Sequence, residues 1–128
     1  MLWFVYNVFF AIGYLLMVPY FLSRMWRRGG YRKGFFQRLA LYDAVTLGRL
    51  QARRRIWIHA VSVGEIGVAC RFMDELRAAR PGAAFILTTT TSTGHRQAEP
   101  RLKPDDVLLY FPLDFPVVVR RVLRLLQP

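Results

Sequence analysis

The chain has 128 residues, a formal net charge of +11, one cysteine and two histidines, which leaves room for a single small core and implies no disulfide framework. No Cys, His, Asp and Glu stand at metal-ligand spacing, so no metal is expected. The positive charge suits an anionic surface; the basic stretch lacks a finger, a ribonucleoprotein motif or interleaved stacking aromatics, and nucleic acid is not expected as a partner.

Residues 1–23, MLWFVYNVFFAIGYLLMVPYFLS, carry no charged side chain. A helix of roughly 20 apolar residues spans a bilayer core of about 30 Å. This run is apolar on every side of such a helix, which argues against a core helix with one wet face. Trp3, Tyr6, Tyr14 and Tyr20 are of the kind that settles at headgroup level near the ends, while Asn7 and Pro19 interrupt the pattern. Arg24, Arg27, Arg28, Arg32 and Lys33 follow at once, and the positive-inside rule sets the amino terminus outside and the rest in the cytoplasm. A cleaved leader would carry its basic residues first and a small-residue cleavage site behind; neither is there. The expectation is an uncleaved single-pass transmembrane anchor.

Residues 24–55 form a basic juxtamembrane segment with ten Lys or Arg and one acid, Asp43. Each cation close to an anionic leaflet contributes about 1 kcal/mol. The phrase YRKGFFQRLALYD within it suits an interfacial amphipathic segment, and equally a packing helix laid over a sheet.

From residue 56 the pattern changes. Ile56, Trp57, Ile58, Ala60 and Val61 make a nearly continuous apolar run, which reads as a parallel strand covered on both faces. Ser62-Val63-Gly64 supplies a turn, and Ile66, Ala69, Cys70, Met73 and Leu76 then recur at helical spacing. Glu65 therefore falls in the first turn of a helix, just past the carboxyl end of a strand, where open α/β sheets bind ligands. Two readings of Glu65 stand on these residues alone: a site carboxylate, or a first-turn residue favoured by the helix dipole. His59 lies inside the strand and reads as a hydrogen-bonded core histidine sooner than a base. Cys70, on the apolar side of its helix, reads as an inert thiol.

Residues 83–90, AAFILTTT, make a second strand that ends in Thr91-Ser92-Thr93-Gly94, with a short helical segment over 95–99. Residues 107–111, VLLYF, make a third, followed by Pro112-Leu113-Asp114. The last helix, 115–126, turns Val118, Val122, Leu125 and Leu126 inward and Arg120, Arg121 and Arg124 outward. The alternation βαβαβα calls for a parallel sheet with right-handed crossovers, so that all three post-strand loops open on one edge. Hydroxyls and amides at two helix starts, Ser62 with Gly64 and Thr91 to Gly94, can cradle a phosphate or sugar hydroxyls. The threonines read equally as a β-branched strand end with a capping hydroxyl. With no GxGxxG and no GxxxxGK[ST], neither a dinucleotide fingerprint nor a P-loop is present. Three strands are few for a finished sheet, and the chain is expected to be the amino-terminal portion of a larger enzyme.

Taken together, the apolar anchor, YRKGFFQRL, IWIHAVSVGE, TTTTSTG and YFPLDFP with its basic helix resemble the amino-terminal half of the Kdo transferases, which attach 3-deoxy-D-manno-octulosonic acid to lipid A precursor in Gram-negative bacteria. The resemblance covers nearly the whole chain, and its motifs are specific only in combination. It implies a GT-B glycosyltransferase whose amino-terminal Rossmann-like domain, here 56–128, binds the acceptor, while a carboxy-terminal domain outside this sequence binds the CMP-Kdo donor. It carries the family's catalytic glutamate onto Glu65 and implies inverting transfer without metal or cofactor. It also suggests acceptor contacts at Ser62, Gly64, Thr91, Ser92, Thr93 and Gly94, with Arg53 and Arg54 on the acceptor's phosphates. Ser92 departs from the proline common in the family. The implied location is the bacterial inner membrane, among anionic lipids, with the catalytic domain on the cytoplasmic side. Two alternatives remain open: another membrane-linked GT-B enzyme acting on an undecaprenyl or lipid A disaccharide, and a non-catalytic membrane-tethered lipid-binding module.

Overall fold

The computed structural model describes residues 34–128 and, before them, residues 3, 9, 12, 13, 15–20 and 23. The chain divides into two compact units, Met1–Arg32 and Lys33–Pro128. In the first, residues 15–20 are helical and Ser23 Oγ donates to Tyr20 O at 2.8 Å. The expected anchor falls largely outside the described residues, as do Arg24, Arg27, Arg28, Arg32 and Lys33. Among the described residues no helix is long and apolar enough to cross a membrane.

The second unit is an α/β domain built as α1 (Phe35–Arg38), α2 (Ala44–Gln51), β1 (Ile56–Ala60), α3 (Val63–Ala79), β2 (Phe85–Thr89), α4 (Ser92–Ala98), a 3₁₀ turn (Glu99–Arg101), β3 (Val107–Tyr110) and α5 (Pro116–Leu126). Its strands are parallel and ordered β1-β2-β3, with Ile56 opposite Phe85, Ala60 opposite Thr89, and Thr89 opposite Tyr110. All three strand-to-helix turns thus open on one edge, as the alternation of elements requires. The helix after β2 begins at Ser92, earlier than the sequence suggests, because the Thr91 hydroxyl accepts from Gly94 N at 3.1 Å and caps it.

Period-two alternation sends successive strand residues to opposite faces. On one face Ala60, Phe85 and Leu87 pack against Ile66, Ala69, Cys70 and Met73 of α3 and Ala98 of α4. On the other, Ile86, Val107 and Leu109 meet Leu50 of α2 and Val118, Val122 and Leu126 of α5. Burying a side chain of this size contributes ~1.5–3 kcal/mol. Arg120, Arg121 and Arg124 stay outside, so α5 is oriented as its sequence predicts.

Residues 34–55 belong to this domain. Asp43 caps α2 by accepting from Thr46 N at 2.7 Å, and Ala40 and Leu50 are buried with the sheet. Within YRKGFFQRLALYD, Ala40 and in part Leu39 and Tyr42 pack on the sheet as the packing-helix reading expects, while Phe35, Phe36 and Leu41 stay exposed as the interfacial reading expects. Several cations of this segment bind backbone carbonyls, Arg55 from a buried position and Arg49 from an exposed one. Arg55, 6 % exposed, donates to Arg49 O at 2.6 Å, Arg53 O at 3.0 Å and Asp105 O at 3.0 Å. Arg49 donates to Pro104 O at 2.7 Å and Asp106 O at 2.6 Å. A formal charge count overstates what the segment offers to lipid, because a guanidinium bonded to carbonyls on several sides is held in place by the fold.

At the start of α1, Gly34 has φ +78°, and a Cβ there would overlap the Tyr110 ring. Gly34→Ala is expected to cost roughly 2–3 kcal/mol, from left-handed backbone strain added to displacement of the ring. Urea unfolding with an unchanged midpoint would contradict this.

Candidate active site

The carboxyl edge of the sheet collects the turn after β1, the loop after β2 and the segment after β3. Ser62 is the N-cap of α3 and its Oγ accepts from Glu65 N at 3.2 Å. The Glu65 carboxylate reaches back: Oε2 accepts from Val61 N at 2.8 Å and Oε1 from Ser62 Oγ at 3.0 Å. This reciprocal arrangement is a variant of the capping box, with the backbone donor one residue earlier than usual. Glu65 is exposed. The Val61 N–H, then the Ser62 hydroxyl, hold its carboxyl below its ordinary value of 4.5. Each of its oxygens takes one hydrogen bond where about two fit, so the carboxylate keeps free lone pairs toward solvent.

Because the folded value lies below the unfolded one, the capping contribution is present above pH 4.5 and lost as pH falls through the folded value. A ¹³C carboxyl titration is expected to place the Glu65 midpoint below 4.5, and Ser62→Ala to move it upward only in part, since Val61 N–H remains. A midpoint at or above 4.5 would show that the two donors do not engage the carboxylate in solution.

The next loop lies alongside. Gly94 is buried where a Cβ would stand 3.0 Å from Ile66 Cδ1 and 3.1 Å from Thr91 Oγ1, so its lack of a side chain lets α4 close on α3. Ser92 is half-buried and Thr91 and Thr93 are exposed. Gly64 has no such constraint, since its nearest neighbour to an added Cβ is Ser62 Oγ at 3.9 Å. Arg38 donates from Nη2 to Thr90 O at 2.6 Å and lies over the Tyr110 ring, 4.7 Å from its centroid. Tyr110 stacks in turn on His95 at 4.3 Å and 1°, and burial pushes the His95 imidazole below its usual range. This stack fixes the path of the threonine-rich loop.

His59 is hydrogen-bonded, as expected, but not in the core. It is exposed, with Nδ1 3.0 Å from both Thr88 O and Thr88 Oγ1, and its ring stacks on Phe111 at 3.9 Å and 27°. Cys70 is buried, and burial raises its thiol pKa, in keeping with an inert role.

The structure thus gathers Ser62, Gly64 and Glu65 on one turn and Thr91, Ser92, Thr93 and Gly94 on its neighbour. It does not bring Arg53 or Arg54 to them. Both precede β1, at the opposite end of the strand, where Arg53 pairs with Asp105 at 3.0 Å and donates to Gly82 O. Being placed after the anchor in sequence does not place a residue beside the ligand edge, because the strand runs between them. Conversely, sequence reading missed Arg38 and Phe111. The signal for Arg38 was a basic residue inside an aromatic, packing-competent run; Phe111 gave none beyond adjacency to the third strand. A groove of about 620 Å³ runs along α3 past Gly67 and Arg71 and meets this edge only at Gly64. Among the described residues no three His, Cys, Asp or Glu gather as a metal site.

Comparison with known proteins points in one direction. The family model described as 3-Deoxy-D-manno-octulosonic-acid transferase (kdotransferase) matches residues 33–128. The 3-deoxy-D-manno-octulosonic acid transferase of Haemophilus influenzae is 30% identical over 98 residues, covering 77% of this chain and 22% of the relative. That of Chlamydia pneumoniae is 25% identical over 124 residues, 96% of this chain and 28% of the relative. That of Rickettsia prowazekii is 29% identical over 89 residues, 70% of this chain and 19% of the relative. The chain therefore spans between 19% and 28% of the length of these curated relatives. No solved structure matches it.

Proposed function

The chain belongs to the 3-deoxy-D-manno-octulosonic acid transferase family, and on that premise we propose that its α/β domain is the acceptor side of an inverting, metal-independent GT-B enzyme that transfers Kdo from CMP-Kdo to lipid A precursor. The observation that supports this most is an exposed carboxylate at the ligand edge of a parallel sheet, aimed by Val61 N–H and the Ser62 hydroxyl. Glu65 removes the proton from the acceptor hydroxyl as that oxygen bonds to the anomeric carbon of Kdo. The bond from that carbon to the CMP phosphate breaks, and CMP leaves as an anion held by a second, donor-binding domain. Positioned proton transfer of this kind contributes roughly 10² to 10⁴ in rate. The carboxyl is ionised at neutral pH and so able to accept a proton, while the two donors that aim it also weaken it as a base. The hydroxyls of Thr91, Ser92 and Thr93 and the amides of their turn face the acceptor.

The charge step behind residue 23 supports an inner-membrane anchor with the domain in the cytoplasm, and the remaining surface cations suit anionic lipid. In the full-length protein, labelled Kdo is expected to pass from CMP-Kdo to lipid A precursor, and a reporter fused after Pro128 is expected to read as cytoplasmic. Transfer to an undecaprenyl-linked acceptor in place of lipid A precursor would select the other membrane-linked enzyme, and a periplasmic reporter would reverse the topology. The capping contacts of Glu65 favour a second reading, in which this carboxylate only starts a helix.

A further inference from the structure

Hydrogen accounting at Thr88 fixes which nitrogen of His59 carries the proton. Trp57 Nε1 can only donate, and it donates to Thr88 Oγ1 at 2.9 Å. His59 Nδ1 stands 3.0 Å from Thr88 O, and a carbonyl oxygen can only accept, so the hydrogen sits on Nδ1. The same N–H is shared with Thr88 Oγ1 at 3.0 Å. The Thr88 hydroxyl is left to donate to Ile58 O at 3.3 Å, and every hydrogen has an acceptor. In the neutral ring Nε2 then carries a bare lone pair, on the side turned away from Thr88. The stack on Phe111 holds the ring at that angle.

Among the described residues no partner meets Nε2, and His59 is exposed near the carboxyl end of β1, within electrostatic reach of Glu65. The geometry points to His59 as a ligand-binding residue whose Nε2 accepts a hydrogen bond from a sugar hydroxyl of the acceptor, next to the hydroxyl that Glu65 deprotonates. This rests on the acceptor-side reading given above. A lone pair selects hydroxyl or amide donors and turns away phosphate and carboxylate oxygens, which bring only lone pairs of their own. The neutral ring therefore recognises a hydroxyl of the acceptor, whereas the imidazolium, with a hydrogen on Nε2 as well, would not.

Two variants of the full-length protein test it, read by direct binding of the acceptor lipid as well as by turnover. His59→Phe keeps a flat ring on Phe111 and removes the acceptor nitrogen; it is expected to raise the acceptor Kd about 3- to 10-fold, the worth of one neutral hydrogen bond. His59→Gln, which returns an amide oxygen near the position of Nε2, is expected to recover part of that loss. Imidazole ¹⁵N spectra of the wild-type chain are expected to show the hydrogen on Nδ1. An unchanged Kd in His59→Phe, a fall in kcat with unchanged Kd, or a hydrogen on Nε2 in the neutral ring each overturns the inference. Weakened acceptor binding in a protein that transfers no Kdo would keep the inference and remove the catalytic reading. Kdo transfer with binding indifferent to His59 would do the reverse.

Discussion

Glu65→Gln in the full-length enzyme is expected to lower Kdo turnover by roughly 10² to 10⁴ while acceptor binding changes little. The substitution keeps the length of the side chain, and its amide oxygen can still accept from Val61 N or from the Ser62 hydroxyl. Only proton acceptance is removed outright. Glu65→Asp keeps the charge and shortens the reach by one methylene, and a displacement of about 1 Å can itself cost about 10² in rate. Both variants start α3 with Ser62 still in place as its cap, so both should fold. Near-normal turnover in Glu65→Gln would leave the carboxylate as a helix-capping group and nothing more.

The largest stability effect is expected from Asp106, at the far end of the sheet. Its carboxylate, 1 % exposed, accepts from a single nitrogen, Arg77 Nη2, on both oxygens, at 2.9 and 2.8 Å, and accepts from Phe85 N at 3.1 Å and Lys103 N at 3.0 Å. Asp106→Ala leaves two backbone donors without their acceptor and the largely buried Arg77 guanidinium with only its exposed partner Asp74, at 3.2 Å from Nη1. Removing one partner of such a pair costs about 3–5 kcal/mol, a large part of the 5–15 kcal/mol by which a domain is ordinarily stable. Chemical denaturation should show the loss, with Asp106→Asn intermediate because one oxygen remains. A loss under about 1 kcal/mol would mean that solvent reaches the cluster and replaces the carboxylate.

What could be read from the sequence was what periodicity and turn chemistry encode. The apolar runs around Ile58, Leu87 and Leu109 predict three parallel strands, and SVGE predicts a capped helix start, because both signals are local. The start of α4 was misplaced by three residues, since a lone threonine cap is weak against a β-branched run that also reads as strand. The amphipathic alternative for residues 31–43 could not be decided locally: whether Phe35, Phe36 and Arg38 face lipid or sheet depends on what packs against them. Contacts across 50 residues or more, such as Arg38 with Thr90, leave no periodic trace. Arg53 and Arg54 show the converse, since charge suggested a phosphate partner and chain direction placed them at the wrong end of β1.

The arginines bound to carbonyls have a consequence for how this domain tolerates drift. Arg55 ties together the end of α2, the entry to β1 and the loop before β3 through a planar head with hydrogens on separate edges. Lysine matches its charge and nearly its length, but concentrates its hydrogens on one tetrahedral nitrogen that cannot face three directions at such separation. An Arg-to-Lys exchange at position 55, neutral by any count of charge or polarity, would untie three segments at once. The same exchange at Arg120 or Arg121, out on α5, would pass unnoticed by the fold.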